Sequence, residues 1–227
     1  MTAFAANSVF ARLALLDGAI DEATYTSVRI IAGAIMLTVL VTIGRGASLK
    51  TVVDGGNWSS AAALFVYAIA FSFAYVGIET GLGALILFAM VQATMIGWSI
   101  IKGDRPIALE WIGMITALGA FAWLVSPGLE APDPFSAVLM VLSGIAWGIY
   151  SLRGRGSEDP LLATAGNFLL AVPMTMAATL IFWGEMSGSD YGLMLAVASG
   201  ALTSGLGYAL WYRVLPRIGA TQGAIVQ

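Results

Sequence analysis

Arg12 and Arg29 stand out as groups able to do chemistry, because each is a cation set among apolar neighbours, in Phe10-Ala-Arg-Leu13 and Ser27-Val-Arg-Ile30. A guanidinium placed near the outer end of a helix, as both are by this reading, can attract a carboxylate on a bound solute. It can also reach the membrane interface along its own stem and pair with an acid. Asp17, Asp21 and Glu22 lie close in sequence, which favours pairing. Other chemistry is scarce. With no cysteine there is no thiol nucleophile, disulfide or thiolate metal site, and with no histidine the commonest metal ligand and general base is missing. No catalytic residue, metal or cofactor is expected.

A second set of residues could recognise a solute without reacting with it. Asn7, Gln92, Asn167 and Gln227 are amides within apolar stretches, and hydrocarbon offers such groups no hydrogen-bond partner. Tyr67, Phe71 and Tyr75 recur every fourth residue along one stripe, and Trp147 with Tyr150 and Tyr208 with Trp211 are one turn apart. Turned inward, these would wall a cavity for a small amphipathic solute. The plainer alternatives are hydrogen bonds between helices, worth about 0.6 kcal/mol each, and packing against a glycine face at Gly144 and Gly148. Trp58, Trp98, Trp111, Trp183 and Tyr191 sit near span ends and read as interfacial.

The elements that must position these residues are membrane spans. Residues 81–101 contain no charge, and about 20 apolar helical residues cross a hydrocarbon core of about 30 Å. The pattern repeats at about 27–43, 58–76, 107–124, 135–152, 161–183 and 191–212, with a partial span before 16 and another beginning near 221. About nine spans are visible, in an all-α polytopic membrane helix bundle. The composition agrees: 59% hydrophobic, 10% charged and a mean hydropathy of +0.89 leave too little charge to cover a soluble globule. A net charge of −3 gives nucleic acid no basic patch. Arg45, Lys50, Lys102, Arg105, Arg153, Arg155, Arg213 and Arg217 fall in alternate loops, and the loops between them carry only acids. The basic loops are expected to be cytoplasmic, in a multi-pass protein of the bacterial inner membrane.

The two halves echo each other. Ala6-Asn-Ser-Val-Phe-Ala-Arg12 resembles Ala146-Trp-Gly-Ile-Tyr-Ser151, and Tyr75 to Ala84 resembles Trp211 to Ala220. Five spans separate equivalent points, an odd number, so the halves must cross the membrane in opposite senses, as in transporters that rock about a central site. The turn Gly103-Asp-Arg-Pro106 followed by Gly113 and Gly119, and the run from Tyr208 to Gln227, resemble the EamA branch of the drug/metabolite transporter superfamily. That resemblance implies two inverted five-helix repeats, here 1–125 and 135–227, and ten helices in full. The chain is read as lacking the start of its first helix, the end of its ninth and its tenth; a genuine start at Met1 is the alternative. The resemblance also turns the first, third, fourth, sixth, eighth and ninth helices toward a pathway. Asn7, Arg29, Tyr67, Phe71, Gln92, Trp147, Tyr150, Tyr208, Trp211 and Gln227 are its candidate lining.

The function so implied is export of small metabolites, amino acids or related neutral and zwitterionic solutes, by alternating access. Glu79, Asp104, Glu110 and Glu185 all sit at span ends, so no embedded acid is available for exchanging a cationic drug against protons. A drug or toxic-compound efflux permease and a non-transporting membrane assembly protein are the alternatives. An intramembrane enzyme would lack acid–base and metal groups. The expected partners are a small-molecule substrate and the lipid bilayer.

Overall fold

The computed structural model describes residues 2–16, 18–103, 107–125, 132–217 and 220–226. They form α1 (Thr2–Leu15), α2 (Glu22–Arg45), a short α3 (Leu49–Asp54), α4 (Trp58–Ala74), α5 (Thr80–Ile101), α6 (Ala108–Val125), α7 (Pro134–Arg155) and α8 (Pro160–Ile181). A composite span follows, made of α9 (Asp190–Ala198), a π-helical segment (Ser199–Leu206) and α10 (Gly207–Val214), and then α11 (Ala220–Val226). Among the described residues five helices are long and apolar enough to cross a membrane: α2, α5, α7, α8 and the composite Asp190–Val214. Trp58–Ala74 and Ala108–Ala120 are apolar but shorter. The outward faces of these helices carry Ile35, Ile43, Ile101, Trp123, Leu180 and Ile181, all exposed. Such a belt would be untenable in water and is stable against lipid.

Helix boundaries follow local chemistry. Asp21 caps α2 by accepting from Thr24 N at 2.9 Å, and Gly46 ends it in the left-handed region at φ 68°, donating to Thr42 O. Asn57 caps α4 by accepting from the backbone N–H groups of Ser59 and Ser60. The expected second span began near 27, but α2 starts five residues earlier, at Glu22. Thr24, Tyr25 and Thr26 thus lie ahead of the expected span. They are helical because their polar groups are used inside the bundle: Thr26 Oγ1 lies 2.7 Å from Glu22 O and 2.7 Å from Ser72 Oγ. The loop after α2 also holds α3, which had no counterpart in the expected spans.

Among the described residues, the lysines and arginines other than Arg12 and Arg29 gather at one end of the bundle. Arg45, Lys50, Lys102, Arg153, Arg155, Arg213 and Arg217 belong to one end, where Arg45 pairs with Asp159 at 2.7 Å and Arg153 reaches α4. Asp21, Glu22, Glu79, Asp133, Glu185 and Asp190 belong to the other, which is joined by an isolated bridge between Ile20 and Gly188. We refer to these as the basic and acidic ends.

Packing is close where side chains are smallest. A Cβ on Gly144 would meet Leu87 O at 2.6 Å, and one on Gly148 would meet Thr94 Cβ at 2.8 Å, so the glycine face of α7 lies directly on α5. Gly166 of α8 is in the same situation against the backbone of Gly56, and Gly200 of the π segment against Arg29 O of α2. The main neighbours are α4 with α7, α2 with α8, α5 with α7, the composite span with α2 and with α1, α4 with α8, and α5 with α11. α6 lies outside α5 and α11.

Candidate functional site

Starting the second helix at Glu22 places Arg29 two turns inside the bundle rather than at its rim. The residue is only 1% exposed. Its Nη2 donates to Tyr67 Oη at 2.8 Å and to Tyr208 Oη at 3.3 Å, and its Nε donates to Ser204 Oγ at 3.2 Å. The guanidinium also lies over the rings of Tyr67 and Phe71, 5.1 Å from each centroid. Nη1 has no partner among the described residues. The expected pairing with Asp21 or Glu22 does not occur. Asp21 spends its carboxylate on the α2 cap and on Ser187 N at 2.8 Å, and no described ion pair includes Arg29. Asp17 lies outside the described residues.

Arg12 stays near the end of its helix, as expected, and makes a contact that the sequence does not show. Its Nη1 donates to Tyr75 O at 2.7 Å, so it caps the end of α4. A cation at a helix C-terminus satisfies an orphan carbonyl and the helix dipole together. Arg12 is therefore part of the closure at the acidic end, beside a cavity of about 230 Å³ that also includes Glu79 and Leu82.

A polar network ties Arg29 to α1 and to the π segment. Asn7 Nδ2 donates to Tyr67 Oη at 3.4 Å, and Asn7 Oδ1 accepts from Ser199 Oγ at 2.6 Å and Thr203 Oγ1 at 3.3 Å. A π-helix is rare and frequently marks a functional position. Here it sets Ser199, Thr203 and Ser204 facing Asn7 and Arg29. The small residues of Ser199-Gly-Ala-Leu-Thr-Ser-Gly205 let its backbone lie against α2.

The aromatic residues form a continuous column through the bundle. Phe71 meets Tyr75 edge-on at 4.7 Å and Tyr67 at 5.6 Å; Trp147 lies between Tyr67 at 4.9 Å and Tyr208 at 4.7 Å. Tyr150 continues it, 5.6 Å from Trp147 and edge-on to Tyr212 at 5.8 Å, and Phe168 abuts Tyr208 at 5.7 Å. On the acidic-end side of Trp147 only about 10 Å³ is free, among Asn7, Ser8, Tyr67, Phe71, Leu87, Phe88 and Trp147, barely room for a water. At the basic end a cavity of about 740 Å³ reaches the surface, lined by Asn57, Ser60, Trp98, Arg153, Asn167 and their neighbours. Arg153 there donates to Ser60 Oγ and Asn57 Oδ1, each at 2.8 Å.

Of the expected lining, Asn7, Arg29, Tyr67, Phe71, Trp147, Tyr150 and Tyr208 come together. Trp211 is buried beside them, although the ring that meets Tyr150 is that of Tyr212. Gln92 is buried on α5, and its Oε1 has no partner among the described residues. Gln227 lies outside the described residues. Asn167 makes the plainer bond expected of it, accepting from Asn57 N at 2.8 Å. The periodicities of the sequence missed Tyr25, Phe168, Tyr212 and the hydroxyls of the π segment. Only the run of small polar residues at 199–205 could have flagged the last of these. No described group of His, Cys, Asp or Glu could hold a metal ion.

Comparison with other proteins bears on this geometry. The chain is 48% identical over 227 residues to the uncharacterized protein PA1977 of Pseudomonas aeruginosa, covering 100% of this chain and 78% of that one. It is 26% identical over 128 residues to the uncharacterized inner membrane transporter YedA of Escherichia coli K12, covering 56% of this chain and 40% of YedA. A crystal structure of a protein 16% identical superposes with a TM-score of 0.74 over 99% of this chain and 81% of that one, which shows a shared fold. No family model matches the chain. The similarity to YedA and the apolar helices together make this an integral protein of the inner membrane, and they point to membrane transport.

Proposed function

This chain belongs to the family of the Pseudomonas aeruginosa protein PA1977, and we propose that it is an EamA-type transporter of the drug/metabolite superfamily that exports small metabolites by alternating access. The observation that carries the reading is the buried column from Tyr75 to Tyr212, with Arg29 and Asn7 hydrogen-bonded to Tyr67 within it. It lies between a large cavity at the basic end and a small one at the acidic end. Buried polar groups in a membrane bundle are costly and mark solute paths. Amino acids and related neutral or zwitterionic solutes fit best, because their apolar bodies suit the rings and their polar ends suit the amide and guanidinium.

The pattern of neighbours supports inverted repeats over 1–125 and 135–227. Exchange α1, α2, α4 and α5 with α7, α8, the composite span and α11, and α4 on α7 becomes the composite span on α1. Likewise α4 on α8 becomes the composite span on α2, while α2 on α8 and α5 on α11 map onto themselves; the contact of α5 with α7 has no comparable counterpart between α11 and α1 among the described residues. Each exchanged helix runs in the opposite sense between the basic and acidic ends. Rocking one half against the other would then open the centre to each side in turn. The basic end is the cytoplasmic one, so its cavity receives solute from the cell.

A cationic-drug permease is disfavoured because no described acid lies in the bundle centre. The reading includes no catalytic step. The tightness of the centre, with about 10 Å³ free beside Trp147, favours a static assembly role as the second reading. Uptake and counterflow of radiolabelled amino acids in proteoliposomes separate the two. Saturable flux supports export, and binding without flux leaves only the assembly role.

A further inference from the structure

We infer that Arg29 is the docking point for the carboxylate of a small monocarboxylate solute, which supplies the counter-ion that the protein itself leaves out. This deepens the transport reading and rests on it. A guanidinium carries one charge and five N–H donors in a planar fork suited to two carboxylate oxygens. The acceptors it meets here, on Tyr67, Tyr208 and Ser204, are neutral hydroxyls, and each is itself a donor. Nη1 remains without a partner at a residue that is 1% exposed. Asn7 presents its amide nitrogen to the same phenol. The pocket is thus rich in donors and has one uncompensated positive charge, which buried groups in hydrocarbon do not tolerate without a reason.

An acceptor-only group of single negative charge completes it. A carboxylate fits on both counts. A doubly charged phosphate or dicarboxylate would bring a second charge with no described cation to meet it. The rings of Tyr67, Phe71 and Trp147 beside the guanidinium suit the apolar body that a carboxylate carries and a halide lacks. With about 10 Å³ free, the solute can seat only when the halves move apart, so docking and opening are linked.

The test uses the purified full chain in detergent, with tryptophan fluorescence and the thermal midpoint as readouts. Trp147 touches both phenols that hold Arg29, so a ligand there should change its emission. The probes are sodium isovalerate, phenylacetate, L-leucine and L-phenylalanine, each set against its amide, with sodium chloride as a further arm. The expected result is saturable binding of at least one acid, at least tenfold tighter than its amide and not displaced by chloride. Arg29→Gln should abolish that binding, and Arg29→Lys, which keeps the charge and loses the fork, should weaken it about tenfold. The acid–amide contrast needs no variant, so it stands even if Arg29→Gln fails to fold. Equal binding of acid and amide, displacement by chloride at matched concentration, no binding of any acid, or binding that survives in a folded Arg29→Gln each overturns the assignment. Flux of a solute lacking a carboxylate, undiminished in Arg29→Lys, would remove this inference and leave the transport reading intact. Carboxylate binding without flux would do the reverse.

Discussion

Asp21 links the two halves at the acidic end, and replacing it with Asn should loosen that end. One carboxylate oxygen caps α2 at Thr24 N, 2.9 Å away, and the other accepts from Ser187 N at 2.8 Å, across 166 residues of chain. Asn keeps the cap, because its single oxygen serves at this position as well as Asp does. The amide nitrogen it turns toward Ser187 N cannot accept, so the side-chain bond to Ser187 is lost, while the backbone bond from Asp21 N to Ser187 O remains. A charge-assisted hydrogen bond contributes about 1.5–3 kcal/mol, and this one is exposed, which brings the figure down to about 1 kcal/mol. Under the proposed alternating access the bond breaks when the acidic end opens, so its loss should shift the closed–open balance about fivefold toward opening. Ser8 lies at the void beside Phe71 and is 3% exposed, so a cysteine there should react with maleimide only when that end opens. The chain has no cysteine of its own, so the label is unambiguous. Labelling should run about fivefold faster in Asp21→Asn. Asp21→Ala, which also loses the cap, should unfold at lower temperature by an amount equivalent to about 1 kcal/mol more, with no further gain in labelling. Unchanged or slower labelling in a folded Asp21→Asn would refute the latch.

Three further expectations follow from particular contacts. Gly200→Ala places a Cβ against Arg29 O and 2.8 Å from Ala32 Cβ, and this overpacking should lower stability by about 1–3 kcal/mol, read as a fall in the thermal midpoint. Arg45→Ala breaks a half-exposed ion pair with Asp159 and should cost less than about 1 kcal/mol, within the error of the same measurement. Asp133 caps α7 by accepting from Ser136 N at 2.8 Å and Ser136 Oγ at 2.9 Å, which holds its carboxyl below the ordinary value of 3.8. A depressed value means that its stabilisation is complete above the unfolded value and is lost as pH falls through the folded one. The thermal midpoint should therefore gain nothing from this group between pH 8 and pH 5, and the difference between the parent and Asp133→Asn should shrink below about pH 4.

The five long apolar helices were legible in the sequence, though not where α2 begins, because hydrocarbon leaves little freedom. Runs such as 81–101 have no charge and the right length, and α5 begins at Thr80 and ends at Ile101. The stripe of Tyr67 and Phe71, and the pairing of Trp147 with Tyr150, were legible for a similar reason, since helical spacing fixes which side chains share a face. The depth of Arg29 was not. It depended on where α2 begins, and Thr24 to Thr26 look like loop until the hydroxyl of Ser72, 46 residues away, is seen to receive Thr26. The bond of Arg12 was not legible, because nearness in sequence to Asp17 and Asp21 says nothing of the carbonyl on Tyr75, which only the fold brings within 2.7 Å. The π segment was hidden too, as an extra residue in a helical turn leaves the apolar content of the span unchanged.

The central claim is that the basic and acidic ends open alternately around the buried column. Spin labels placed in this cysteine-free chain at positions 53 and 157, and in a second preparation at 79 and 185, would report the separation of the two halves at each end. Electron-resonance distance measurements in nanodiscs should show reciprocal populations: as solute is added, the fraction with a short basic-end distance should rise while the fraction with a short acidic-end distance falls, or the converse. Distances that stay fixed at both ends, or that lengthen together, would contradict the account.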